Sequence, residues 1–222
     1  MKNLDFPIIR EYPNNLSKDF CDHLIQKFED VPDKYPGTVG DRIVDKNTKD
    51  SLDYKFSGNE DWYIENDYVQ NKLYETSSPF IEEYCDLLGY PFPNGVVSSS
   101  GFQIQRTLPG TIGYRWHSDE NYWFDSEQRR VMRRMLTYLW YLNDCEEGYT
   151  EFADRRITPE CGKLILFFAD PALLHRGIAP KTGKKYIMTG WISTQIEVGN
   201  VTEINGAPFG PEVSYSLRKR ES

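Results

Sequence analysis

A chain of 222 residues with 39% hydrophobic and 14% aromatic content is long enough to bury a substantial core, and its composition is that of a folded protein. The formal charge of −8 lacks the basic footprint that phosphate-backbone binding needs, which disfavours nucleic acid as a partner. The opening MKNLDFPIIREYP holds no apolar run long enough for a secretory leader or a membrane span, and Cys21, Cys85, Cys145 and Cys161 lie far apart without a CxxC pair, so the expectation is a cytoplasmic protein with free thiols and no membrane partner.

In chain order, FPII (residues 6–9) reads as a short strand and Pro13-Asn14-Asn15 as a turn. Ser17 is placed to cap a helix running through Asp30, because Phe20, Leu24, Ile25 and Phe28 recur on one face at helical spacing. Val31 to Trp62 is rich in Gly, Pro, Asp and Lys without a sustained period, which predicts a long loop or irregular hairpin region. Val69, Leu73, Phe80, Ile81, Tyr84 and Leu88 restore the helical period. Ser78-Pro79 predicts a kink there, or a restarted helix with Pro79 in its first turn, and Gly89 ends it. After Pro93 the pattern becomes short strand-like runs, FQIQRTL, IGYRWH, MLTYLWYL, KLILFF and YIMTGWIST, separated by turns such as LPG, CEEG and ECG. Short strands with turns and no intervening helical pattern predict an antiparallel barrel or jelly roll, with the helices packed on one side. The expected layout is one domain over 1–222: helical support and irregular loop over 1–95, a mostly β core over 96–196, and a C-terminal extension over 197–222.

The chemistry-bearing stretch is GYRWHSDEN. Residues two apart share a face on a strand but not on a helix, so at a strand end His117 and Asp119 project together. His175, in ALLHRG, completes the ligand set of a two-histidine, one-carboxylate facial triad, which covers one face of an octahedral metal and suits non-haem Fe(II) oxygenases; zinc accepts the same ligands. RRVMRR gathers Arg129, Arg130, Arg133 and Arg134, which read equally as a solvated cluster balancing nearby acids or as an anion site.

Taken together, these stretches resemble the 2-oxoglutarate- and Fe(II)-dependent oxygenases of the prolyl 4-hydroxylase type, over roughly Leu16 to Ser193. GYRWHSD is similar to the family's Tyr-x-x-His-x-Asp, RMLTYLWYLNDCEEGYTEF to its Arg-x-x-Thr-x-Leu-x-Tyr-Leu-Asn-Asp strand and turn, and CGKLILFF to its Gly-Lys-plus-apolar strand. In LHRGIAPKTGKKYIMTGWI, His175, Gly183, Lys185 and Trp191 fall where the family has its second iron histidine, a glycine, its 2-oxoglutarate lysine and a tryptophan.

The resemblance implies a double-stranded β-helix (jelly-roll) core that holds Fe(II) on His117, Asp119 and His175. It takes 2-oxoglutarate and O2 as co-substrates, with ascorbate as a candidate helper. Lys185 anchors the distal carboxylate of 2-oxoglutarate, whereas Lys181 and Lys184 fit surface roles. If YIMTGWI is a strand, Lys185, Ile187, Thr189 and Trp191 share one face, so Thr189 and Trp191 line the same wall, with Thr189 expected to contact the co-substrate. Tyr141 and Thr150 resemble positions that hydrogen-bond the same carboxylate, and Tyr114 one that lines the pocket. Arg134 matches an arginine that contacts peptide in some members; with Trp191, Tyr122 and Trp123 it forms the implied substrate surface.

The chain also departs from the pattern. Thr107 or Leu108 stands where some members carry another tyrosine, EEGYTEF is one residue shorter than the family's turn, and Ser193 replaces a substrate-contacting histidine. Arg134 and Tyr141 are separated by an odd number of residues, so a regular strand would point them to opposite sides; both reach one pocket only if a bulge intervenes or the strand starts after Arg134. The implied activity is hydroxylation of a peptidyl residue, proline first, with release of succinate and CO2. Hydroxylation of a free amino acid or other small molecule is the alternative, and a catalytically silent binding module is a third reading, opposed by the intact set of His117, Asp119, His175 and Lys185. Val31–Trp62, hinged at Gly37, Gly40 and Gly58, and Asn121–Phe124 are expected to form a mobile cover over bound substrate.

Overall fold

Period-two burial decides the architecture. In the strand Arg130–Tyr141 and just beyond it, Leu136, Tyr138, Trp140 and Leu142 enter a large core shared with the helices, while Leu139 and Tyr141 enter a second, smaller core. Leu164 and Leu166 likewise join the first core, and Ile165 and Phe167 the second. A sheet apolar on both faces must be covered on both, here by helices on one side and another sheet on the other.

The computed structural model describes residues 6–40, 42–88, 98–125 and 130–196. The strands are β1 (Ile9–Tyr12), β2 (Tyr35–Pro36), β3 (Leu52–Lys55), β4 (Ser98–Ser99), β5 (Gln103–Thr107), β6 (Tyr114–His117), β7 (Tyr122–Asp125), β8 (Arg130–Tyr141), β9 (Thr150–Phe152), β10 (Arg156–Ile157), β11 (Leu164–Phe168), β12 (His175–Gly177) and β13 (Lys185–Ile196). The helices are α1 (Lys18–Asp30) and α2 (Tyr63–Leu88). One sheet of nine strands runs β1-β11-β8-β13-β5-β3-β2, with β4 beside β13 and β7 beside β8; a sheet of four runs β10-β9-β12-β6. All pairings are antiparallel, giving a jelly-roll core.

In α1 the Ser17 hydroxyl accepts the Phe20 N–H at 3.2 Å, and Cys21, Leu24 and Phe28 are fully buried against the large sheet. Burying Leu24 and Phe28 stabilises the docked helix by about 1.5–3 kcal/mol each. The helix does not restart at Ser78-Pro79: α2 passes through Pro79 as one element, with Val69 and Leu73 before it and Phe80 after it all buried in the core. Gly89, Arg129 and the extension 197–222 lie outside the described residues.

One expectation needs correction and two gain detail. The strand near the N-terminus is not FPII but starts at Ile9, paired with Phe167, while Phe6 packs against the rings of Phe80 and Tyr84. Of the two forms expected for 31–62, the irregular hairpin is the one found: β2 and β3 pair antiparallel and extend the large sheet beyond β5, and Phe56 stacks on Trp62 at 4.8 Å. Residues before 96 therefore supply strands as well as helices. Finally, Tyr122–Asp125 pairs with β8 as a regular strand, residue for residue from Tyr122↔Arg133 to Asp125↔Arg130.

A bulge settles the parity of Arg134. Along β13 the partners run Ile192↔Leu136 and then Ser193↔Arg134, so Met135 is skipped and Arg134 turns to the same side as Thr137 and Leu139.

Candidate metal and co-substrate site

The cavity between the two sheets has a volume of about 490 Å³ and is walled by β5, β6, β8, β12 and β13. His117 ends β6 and His175 begins β12; they are direct cross-strand partners, which brings their ring centres to 4.2 Å. Asp119 follows β6 by two residues, on the face of His117. Its carboxylate lies 3.9 Å from His117 Nε2 and 3.6 Å from His175 Nε2, and one donor atom from each of the three falls within 4.8 Å of the others.

The ring orientations follow from hydrogen bonding. His117 Nδ1 lies 2.7 Å from the Arg115 carbonyl and His175 Nδ1 lies 3.1 Å from the Leu173 carbonyl. A carbonyl only accepts, so each Nδ1 carries the proton and each Nε2 presents its lone pair to Asp119's side. Burial, and next the neighbouring His175, push His117 down to about 4, which keeps it neutral and able to ligate at neutral pH. Thr137 donates to Asp119 Oδ2 at 2.7 Å and fixes the carboxylate. Two imidazole lone pairs and an oriented carboxylate form a donor set that fits a divalent first-row metal.

Lys185, Ile187, Thr189 and Trp191 line one wall, as strand alternation requires. Lys185 is 4% exposed, and its ammonium has two carbonyls, of Tyr149 and Ile178, each at 3.5 Å. Burial pushes it down to about 8. Such a cation is poised for an anion. Behind it, fully buried Tyr141 does not itself line the cavity; its hydroxyl donates to Thr150 Oγ1 at 2.7 Å, which leaves the Thr150 proton for a ligand. Thr189 spends its proton on the Tyr138 carbonyl at 2.8 Å and can only accept, so a donor role toward a carboxylate is removed. Thr107 lines the cavity beside Lys185, its partner on β13, at the position of the missing tyrosine.

Tyr114 stacks on His117 with centroids 3.6 Å apart, and burial pushes its phenol up to about 12. Arg134 lies 3.5 Å over the Trp191 ring and donates to the Asp119 carbonyl at 3.3 Å; the Trp191 indole N–H is buried without a partner among the described residues. Tyr122 and Trp123 are not brought into the cavity: they stand 41% and 38% exposed on β7, because its pairing with β8 directs them elsewhere. Of the arginine cluster, Arg134 alone among the described side chains lines the cavity, and Arg133 is exposed. Sequence reasoning missed Thr137, although it shares the face of Leu139 and Tyr141, and it missed Lys49, Asp53 and Gln103 entirely.

Residues 102–193 match the family described as the 2OG-Fe(II) oxygenase superfamily. The chain is 25% identical over 211 residues to probable prolyl 4-hydroxylase 3 of Arabidopsis thaliana, covering 82% of this chain and 67% of that protein. Its fold is similar to that of the viral collagen prolyl hydroxylase of Paramecium Bursaria Chlorella virus-1, solved as a 2-oxoglutarate complex, with TM-score 0.60 and 22% identity over 85% of this chain and 97% of that one. It is also similar to a prolyl hydroxylase of Trichoplax adhaerens solved with a hypoxia inducible factor peptide fragment, with TM-score 0.57 and 15% identity over 83% of each chain. The matched segment contains His117, Asp119, His175 and Lys185, and together the matches support an enzyme, a dioxygenase similar to the prolyl 4-hydroxylases.

Proposed function

We propose that this enzyme hydroxylates an unactivated C–H bond of a peptidyl residue, with proline the first candidate, using Fe(II) on His117, Asp119 and His175 and 2-oxoglutarate anchored by Lys185. The observation that carries the reading is the buried Lys185 ammonium, which shares one cavity with the His-Asp-His cluster and has no carboxylate partner among the described residues. Fe(II) and 2-oxoglutarate, when bound, supply O2 activation with decarboxylation to succinate and CO2.

The protein's own part is ligation and positioning. Asp119, clamped by Thr137, and the two Nε2 lone pairs hold the metal on one side. Lys185 and the Thr150 hydroxyl hold a distal carboxylate at the other end of the wall. Arg134, Trp191 and Tyr114 bound the remaining space next to the metal ligands, where a substrate side chain is held. No general base is required. Succinate formation and O2 uptake, measured with Fe(II), 2-oxoglutarate and a capped-peptide library alongside free amino acids, test the proposal. Peptide-dependent succinate is the expected result; succinate only with free amino acids transfers the reading to a small-molecule hydroxylase, and none at all defeats it.

A further inference from the structure

Lys49 is mounted on the strand that carries the first metal ligand. Arg115 N donates to Thr48 O at 3.0 Å and Asp50 N to Gly113 O at 2.8 Å, which makes Lys49 and Tyr114 a bridge pair flanked by those bonds. At such non-hydrogen-bonded positions the side chains lie close together on one face. The ammonium sits 5.5 Å from the centre of the Tyr114 ring, whose ring stacks on His117 at 3.6 Å. One aromatic ring therefore separates Lys49 from the metal cluster.

The side chain lines the cavity yet is only 5% exposed. Its Nζ lies 2.7 Å from Oδ2 of Asp53, which is fully buried and also accepts from Ser51 Oγ at 2.7 Å and Gln103 Nε2 at 2.6 Å. An ammonium has three N–H donors, and among the described residues its hydrogen-bond partner is Asp53. Because Asp53 balances the charge, the pair offers the cavity a strong donor with no net charge. A neutral carbonyl oxygen suits that donor better than a second carboxylate, for which Arg134 and Lys185 are the cationic sites.

Resting on the oxygenase reading, we infer that Lys49, oriented by Asp53, is a specificity-determining donor that holds a backbone carbonyl of a peptide substrate beside the metal cluster and so selects peptidyl substrates over free amino acids. A purely structural ion pair would hold residues 49–53 together without sensing substrate. The two roles separate experimentally.

The test uses the full chain with Mn(II) and 2-oxoglutarate under argon for binding, and with Fe(II) and air for turnover. The probes are a capped proline-rich peptide and free L-proline. In Lys49→Met/Asp53→Asn both charges leave together, so neither is stranded. The peptide Kd and KM are expected to rise about 10–100-fold, the effect of one charge-assisted hydrogen bond, with selectivity over free L-proline falling in parallel. The Kd for 2-oxoglutarate is expected to move less than about threefold, and Lys49→Arg to recover most of the peptide affinity. A thioamide scan of the peptide against the unmodified protein gives a readout independent of variant folding: one carbonyl position weakens binding about tenfold. An unchanged peptide KM, equal rises for peptide and 2-oxoglutarate, or a flat thioamide scan overturns the inference. Turnover of free amino acids only overturns it as well, whereas loss of 2-oxoglutarate binding by the unmodified protein is the separate failure of the oxygenase reading.

Discussion

Replacing Lys185 by Met should make the ligand-free protein more stable and at the same time deprive it of its co-substrate. Burial lowers the Lys185 pKa from 10.5 to about 8, a difference worth about 3 kcal/mol. Because the folded-state pKa is the lower one, the unfolded chain binds more protons between the two values and stability rises with pH across that window. The penalty is therefore full below about pH 8, shrinks as pH climbs through 8 to 10.5, and is gone above it. Met has nearly the same length, carries no charge and suits a buried site. Lys185→Met should thus exceed the unmodified protein by about 3 kcal/mol at pH 7, roughly 6–12 °C in Tm, and the gap should close toward pH 10.5. Urea and thermal unfolding of both proteins at pH 7, 8.5 and 10 measure it. In the same variant the affinity for 2-oxoglutarate should fall about 10²–10³-fold, because one member of a buried ion pair is removed. Calorimetry at pH 8 in buffers of different ionisation heat should also detect proton uptake when 2-oxoglutarate binds the unmodified protein. A variant no more stable at pH 7, or a gap that does not narrow with pH, refutes the claim that this ammonium is buried without an anion.

His117→Ala, Asp119→Ala and His175→Ala should each abolish turnover and stoichiometric Mn(II) binding while circular dichroism stays near that of the unmodified protein; normal O2 consumption in any of them removes that residue from the site. Gly190→Ala should destabilise by about 1–3 kcal/mol or more, because the new Cβ would lie 2.2 Å from Tyr138 Oη and 2.4 Å from Gly101 O; a Tm within 2 °C of the original, taking roughly 2–4 °C per kcal/mol, would contradict that packing. Tyr141→Phe should raise the 2-oxoglutarate KM less than about tenfold, since the phenol acts only through Thr150; a rise as large as that of Lys185→Met would mean direct contact. Hydrogen exchange with metal, 2-oxoglutarate and a turned-over peptide should slow around Thr38, Val39, Gly40 and Arg42, which line the cavity, and change little in β7, which is already paired; protection in neither segment means that no cover closes.

What the sequence determined by itself was whatever depends on local period. The two-residue step from His117 to Asp119, the alternation of Lys185, Ile187, Thr189 and Trp191, and the capped α1 all follow from geometry within a few residues, and all hold in the fold. Tertiary structure decided the features set by partners distant in the chain. The skipped Met135 that turns Arg134 inward exists only in the register between β8 and β13. The exclusion of Tyr122 and Trp123 from the cavity depends on β7 pairing with β8. Lys49 and Asp53 looked like loop charges because nothing nearby in sequence marks them as buried; Gln103 and Tyr114, far along the chain, make that burial tolerable by supplying a hydrogen bond and a cation–π face. Whether a charge can be buried depends on the groups across from it, and a one-dimensional pattern does not contain them.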